Sequence, residues 1–155
     1  MPELPEVEVV KRSLEKKVQN LIIKKVKIND GNLRYKVNKS GIFKLLGKRI
    51  KKIERRSKFL IFKVGNNIVM LVHLGMTGKF FFINKKNKKF KTSFYYNLNK
   101  NKDHKHDRII FFLENKQKLI YNDIRKFGFF KFFDTKKYRD NPHFKNLGPE
   151  PLDRN

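Results

Sequence analysis

The sequence predicts a mostly β, α+β fold: a two-sheet antiparallel β-sandwich with a flanking N-terminal α-helix. Three observations predict it. Short apolar runs recur along the chain and stop at turns rich in Gly and Asn, as the strands of packed sheets do. One stretch near the start carries a helical apolar period instead. The length, 155 residues, suits one sizeable core and is too short to suggest two.

The helix comes first. From Pro5 to Val18 the apolar residues Val7, Val10, Leu14 and Val18 recur at helical spacing, and Pro5 suits the first helical position, where no N–H is needed. Strands are then expected over Leu21–Asn29, Lys48–Arg56, Lys58–Val64, Ile68–His73, Lys79–Asn84, Asp107–Leu113, Lys118–Asn122 and Gly128–Phe133. Gly65-Asn66-Asn67 and Glu114-Asn115-Lys116-Gln117 supply turn chemistry between strands. Ser40 is placed to cap a short helix through Leu46 that Gly47 ends. Residues Lys85 to Lys105 are polar, lysine-rich and weakly patterned, and read as a mobile loop. Asn141 to Asn155, with Pro142, Pro149 and Pro151, reads as a connector after a catalytic sandwich domain over residues 1–140. No internal repeat is visible.

Charge restricts the partner. Lys and Arg number 39 against 14 Asp and Glu, a net charge of +25, which suits a polyanion and above all nucleic acid. Lys, Asn, Phe and Ile rise together, as an AT-rich genome encodes them, so part of this charge is compositional. Ribosomal, RNA-binding and membrane-surface proteins stay open on charge alone. The apolar stretches Lys79 to Asn84 and Arg108 to Glu114 are too short to span a bilayer. The opening residues do not look like a secretory signal, so none is expected. Without cysteine there is no disulfide framework and no thiolate metal site. A cytoplasmic protein is the expectation.

The opening Met1-Pro2-Glu3-Leu4-Pro5-Glu6 holds the most chemistry. Removal of an initiator Met before Pro leaves Pro2 as a free secondary amine. Such an amine forms a Schiff base with a carbonyl-like carbon when it is unprotonated, and α-amino groups titrate near neutrality, at about 7.7–8.0. The positive end of the following helix disfavours the ammonium further. Glu3, next in sequence, is suited to move protons. Taken alone, the same residues read as an N-terminal extension and a helix start.

Other segments change that balance. PELPEVE (Pro2 to Glu8), RRSKFL (Arg55 to Leu60), HLGMTG (His73 to Gly78), KHD (Lys105 to Asp107), DIRKFG (Asp123 to Gly128) and LGPEPL (Leu147 to Leu152) occur in this order. Together they resemble the formamidopyrimidine-DNA glycosylase family, over nearly the whole chain. The resemblance implies that Pro2 attacks the sugar C1′ of a damaged nucleotide, displacing the base and forming an imine. It makes Glu3 the proton donor and Lys58 the lysine that assists at the lesion and in strand β-elimination. Met76, Arg125 and Phe127 match residues that fill the gap left by a flipped base, a task suited to apolar wedges and an arginine. His106 and Arg125 match positions that contact DNA. His73 and Lys126 are further candidates for DNA contact.

The implied function is base-excision repair: removal of oxidised purines such as formamidopyrimidines and 8-oxoguanine from duplex DNA, then β/δ-elimination at the abasic site. The partner is double-stranded DNA carrying oxidised bases or abasic sites, with no membrane, acted on by a monomer near the nucleoid. Leu4 and Met76 distinguish the chain from the endonuclease VIII branch, which opens Pro-Glu-Gly-Pro and lacks HLGM. No cofactor or metal is expected here, since the family's zinc binds a C-terminal finger beyond LGPEPL. His104, His106 and Asp107 are a weak metal alternative. Three departures stand out: Arg108 where the family often has a second histidine; Ile124 for a common proline, which predicts a less rigid loop; and, most serious, an end soon after LGPEPL, where the resemblance implies a helix–two-turn–helix domain and a zinc finger that are expected to be absent from this chain. A truncated, non-catalytic DNA-binding remnant is the alternative reading, and an unrelated basic RNA-binding protein a weaker one.

Overall fold

A computed structural model describes residues 3–84, 89–91 and 104–135, with the side chains of 89–91 left aside. Its first element, α1 (Leu4–Lys17), begins one residue before the expected start, with Glu3 as N-cap and Pro5 in the first turn. Val7, Val10, Leu14 and Val18 are all at most 3% exposed, so the apolar period is the face that packs.

The strands are β1 (Ile23–Ile28), β2 (Ile50–Arg56), β3 (Phe59–Val64), β4 (Ile68–His73), β5 (Gly78–Ile83), β6 (Lys89–Lys91), β7 (Asp107–Leu113), β8 (Lys118–Asp123) and β9 (Phe129–Asp134). They pair antiparallel into a sheet ordered β1-β7-β8-β5-β6 and a second ordered β2-β3-β4-β9. Alternation along the strands sends Leu60, Phe62, Met70, Val72 and Phe130 into a core shared with Phe80, Phe82, Ile109, Phe111 and Tyr121. Ile61, Val69 and Leu71 form a separate cluster with Phe59 and Phe133.

Two local expectations are corrected. The short helix α2 (Lys39–Leu45) is capped by Asn38, whose side-chain oxygen accepts from the Gly41 N–H at 3.1 Å, and Ser40 lies inside the helix. Asparagine two residues earlier satisfies the same orphan donors. Gly47 follows at φ +77°, as a C-terminal stop requires. Within the stretch expected to be loop, β6 pairs with Phe81–Ile83, being too short for its periodicity to register. The rest of that stretch before residue 104, and the expected connector, lie outside the described residues, as does Pro2. Among the described residues no helix is long and apolar enough to cross a membrane.

Register decides where the site falls. Arg56 pairs with Phe59, Phe59 with His73, and His73 with Phe129, one row across the second sheet. Gly78 pairs with Asp123, Asp107 with Asn122, and Ile28 with Ile109, ending the strands of the first sheet. The β2–β3 turn, the β4–β5 and β8–β9 loops and the segment after β1 therefore all leave these two rows.

Candidate catalytic rim and nucleic-acid interface

Most of the residues singled out in the sequence sit on these connections. Lys58 occupies the β2–β3 turn, where Ser57 takes a positive φ of 52°. Its ammonium lies 3.9 Å from a carboxylate oxygen of Glu3 at the head of α1. The Glu3 side chain makes no cap hydrogen bond to its own helix.

A buried clamp holds helix and hairpin together. Arg55, with a side chain 3% exposed, donates through Nε to Glu8 Oε1 at 2.6 Å and through Nη1 to the Ser57 carbonyl at 2.9 Å. Arg12 donates to the other Glu8 oxygen at 2.8 Å. Burial alone raises the Glu8 pKa, but hydrogen bonds from Arg55 and Arg12, with the charge of Lys11, outweigh it and hold the carboxyl below its usual range. One guanidinium thus grips α1 and the turn that carries Lys58. Arg55 and Glu8 belong to matched segments, yet spacing alone does not reveal that they pair.

The β4–β5 and β8–β9 loops are pressed together. Gly75, at φ +61°, faces the backbone of Phe127 and Gly128, where an added Cβ meets the Phe127 carbonyl carbon at 2.5 Å. Thr77 Oγ1 donates to Asp123 Oδ1 at 2.6 Å and accepts from the Arg125 N–H at 2.9 Å. Asp123, fully buried, also accepts from Lys126 N, Gly128 N and the Tyr121 hydroxyl, the last at 2.7 Å. Burial, then the adjacent Asp123 charge, push the Tyr121 pKa up, so its hydroxyl stays a donor. This network presents Met76 and Phe127, 46% and 41% exposed, beside one another. The Arg125 guanidinium lies over the Phe127 ring, 4.9 Å from its centroid.

Arg108 has a role the sequence did not disclose. Its Nε donates to the Asp123 carbonyl at 2.8 Å and its Nη2 to the Ile124 carbonyl at 3.2 Å. Proline's fixed φ is missing at 124, and these two bonds hold that point. Nη1 lies 3.5 Å from Asp30, which Lys126 also reaches at 3.1 Å. A backbone bond from Asn32, then Lys126, keep the Asp30 pKa low. Lys126, a DNA-contact candidate, thus sits in an ion pair with Asp30 and takes φ +61°.

His73 accepts from the Gly75 N–H through Nδ1 at 3.0 Å, which assigns its proton to Nε2. Its ring stacks on Phe129 at 5.3 Å. His106 lies in a short turn before β7, its Nδ1 3.3 Å from Arg108 Nη2. Glu3 with Lys58, and Met76 with Arg125 and Phe127, form two groups on the same end of the sandwich, with His73 in the register row between them. Among the described residues no three His, Cys, Asp or Glu side chains gather as a metal site. With no cysteine in the chain, the residues present do not fit the family's zinc finger.

Comparison with known proteins identifies the family and the fold. Residues 1–130 match the family described as formamidopyrimidine-DNA glycosylase N-terminal domain. Over 152 residues, 98% of this chain, the sequence is 41% identical to a formamidopyrimidine-DNA glycosylase of Rickettsia bellii (strain OSU 85-389), covering 50% of that protein. It is 36% identical, over the same share of this chain, to one from Bradyrhizobium sp. (strain ORS 278), covering 51%. A crystal structure of Lactococcus lactis Fpg in complex with DNA containing an abasic site aligns with a TM-score of 0.78 and 31% identity, over 97% of this chain and 51% of that one. The chain spans about half the length of the curated relatives it matches.

Proposed function

This chain belongs to the formamidopyrimidine-DNA glycosylase family, and on that premise we propose that it excises oxidised purines from duplex DNA and cleaves the strand at the abasic site. The observation that carries the proposal is the approach of Lys58 to Glu3, the residue joined by one peptide bond to the Pro2 amine.

The neutral Pro2 amine attacks C1′ of a nucleotide swung out of the stack. The C1′–N bond to the base breaks, the departing base takes up a proton from solvent, and the amine's own proton passes through Glu3 to O4′ as the C1′–O4′ bond breaks and the sugar ring opens to an iminium. Loss of a C2′ proton then expels the 3′ phosphate. The Lys58 ammonium stabilises the phosphate that departs. A second elimination releases the 5′ phosphate. Met76 and Phe127 fill the vacated stack while Arg125 hydrogen-bonds the orphaned base.

The partner is double-stranded DNA bearing oxidised bases or abasic sites, met by a monomer in the cytoplasm, at the nucleoid. The net charge of +25 supports an interaction dominated by phosphates. Borohydride reduction in the presence of abasic-site duplex tests the reaction. A covalent protein–DNA adduct is expected, and salt-sensitive DNA binding with no adduct contradicts the catalytic reading in favour of a binding remnant.

A further inference from the structure

We propose that Arg34 and Lys131, assembled on the Tyr35 ring, form an additional site for backbone phosphates of the duplex, beside the Met76–Phe127 wedge. The proposal rests on the DNA-processing reading above and names a contact that reading leaves out.

The segment between β1 and α2 is built to hold its tip still. Leu33 and Val37 are buried at 7% and 4% exposure, on either side of the exposed Arg34 and Tyr35. Asp30 accepts from Asn32 N at 2.9 Å, and Val37 N donates to the Gly31 carbonyl at 2.9 Å, closing the turn. The Arg34 N–H donates to the Gly128 carbonyl at 3.1 Å, which ties the tip to the loop that carries Arg125 and Phe127.

At that tip the Lys131 ammonium lies 4.2 Å from the Tyr35 ring centroid and the Arg34 guanidinium 5.7 Å from it. The ring also meets Phe129 edge-on, its centroid 5.1 Å away. Arg34 and Tyr35 line a cleft of about 530 Å³ together with Met76, Phe127, Phe59 and His73.

The electrostatics of this cluster differ from those of its neighbours. Arg108 and Lys126 are answered by Asp30, and Arg55 by Glu8. Among the described residues, Arg34 and Lys131 lie over the Tyr35 ring, Arg34 also donates through Nε to the Tyr35 hydroxyl at 3.5 Å, and neither pairs with a carboxylate. An aromatic face holds a cation without neutralising it, so both positive charges remain on one support at the edge of the wedge. Both charges therefore stay open to an anion that approaches this edge. Continuity with the cleft makes the sugar–phosphate backbone flanking the lesion the anion within reach.

The salt dependence of binding tests this, using a short duplex with a tetrahydrofuran abasic analogue. Each phosphate contact adds about 0.9 to the slope of log affinity against log salt. The Arg34→Gln/Lys131→Gln variant should lower that slope by roughly 1.8, and Tyr35→Ala should lower it with both charges kept. Tyr35→Phe, which keeps the ring and loses only the hydroxyl that accepts from Arg34 Nε at 3.5 Å, should fall between the parent and Tyr35→Ala. Lys25 and Lys118 flank Phe112 at 5.6 and 5.3 Å, and Phe112 pairs with Lys118 at the end of β8 away from Asp123. Lys25→Gln/Lys118→Gln removes the same charge there and should leave the slope unchanged. Equal slopes for the two double variants overturn the phosphate site while leaving the DNA reading intact. A parent chain that fails to bind the duplex overturns both.

Discussion

The Lys58 ammonium lies 3.9 Å from the Glu3 carboxylate, although one residue turns a hairpin and the other begins a helix. The two side chains are 34% and 77% exposed, so their attraction contributes little to stability. Their proximity is a consequence of the fold, available for chemistry. Glu3→Gln should leave the melting temperature essentially unchanged and slow base excision by about 10²-fold or more. Single-turnover assays on a formamidopyrimidine duplex measure this, and an unchanged excision rate removes Glu3 from proton transfer.

The Arg55–Glu8 clamp predicts an acid-dependent stability. The Glu8 pKa is depressed in the folded chain, so its contribution is complete above the unfolded carboxylate pKa and is lost as pH falls through the lower folded value. Glu8→Gln should therefore flatten the fall in melting temperature on acidification below about pH 4.5. Arg55→Ala should destabilise by about 2–3 kcal/mol near neutral pH, because it leaves a half-buried carboxylate short of a partner. Thermal melts across pH check both.

Arg108 predicts an effect on fidelity. Arg108→Ala frees the carbonyls of Asp123 and Ile124, loosening the loop that carries Arg125. Discrimination among bases opposite the lesion should fall by roughly tenfold, the equivalent of one lost hydrogen bond of about 1.4 kcal/mol. Arg108→Lys should not restore it, since an ammonium lacks the planar fork that spans two carbonyls. Excision rates opposite each base provide the measurement.

Gly75 predicts a steric failure. Gly75→Ala places a Cβ 2.5 Å from the Phe127 carbonyl carbon at a positive φ, and backbone on both sides must move. A loss of about 2–3 kcal/mol is expected, with weaker binding to lesion duplex. A melting temperature equal to the parent's contradicts the close approach of the two loops.

Much of this arrangement was legible in the sequence. The Val7–Val10–Leu14–Val18 stripe and the alternating strands are periodic signals, and β4 and β7 begin and end where pattern and turns place them. Recognition of PELPEVE, RRSKFL, HLGMTG and DIRKFG singled out Glu3, Lys58, Met76, Arg125 and Phe127 as candidates. Partners distant in sequence were not legible. Arg55 with Glu8, Thr77 with Asp123, and Arg108 with Ile124 depend on sheet register and loop approach, which local pattern does not encode. The approach of Lys126 to Asp30, 96 residues away in sequence, was likewise not legible. Asn38 took the cap expected of Ser40 because two competent residues stood close together.

The most direct test of the mechanism is to locate the sugar. After borohydride trapping on abasic-site DNA, nuclease and trypsin digestion followed by mass spectrometry should find the reduced deoxyribose remnant on the peptide from Pro2 to Lys11, attached at the Pro2 nitrogen. A chain that retains Met1 should yield no such peptide. A remnant on Lys58, or on any other lysine, with the N-terminal peptide unmodified contradicts the assignment of Pro2 as nucleophile.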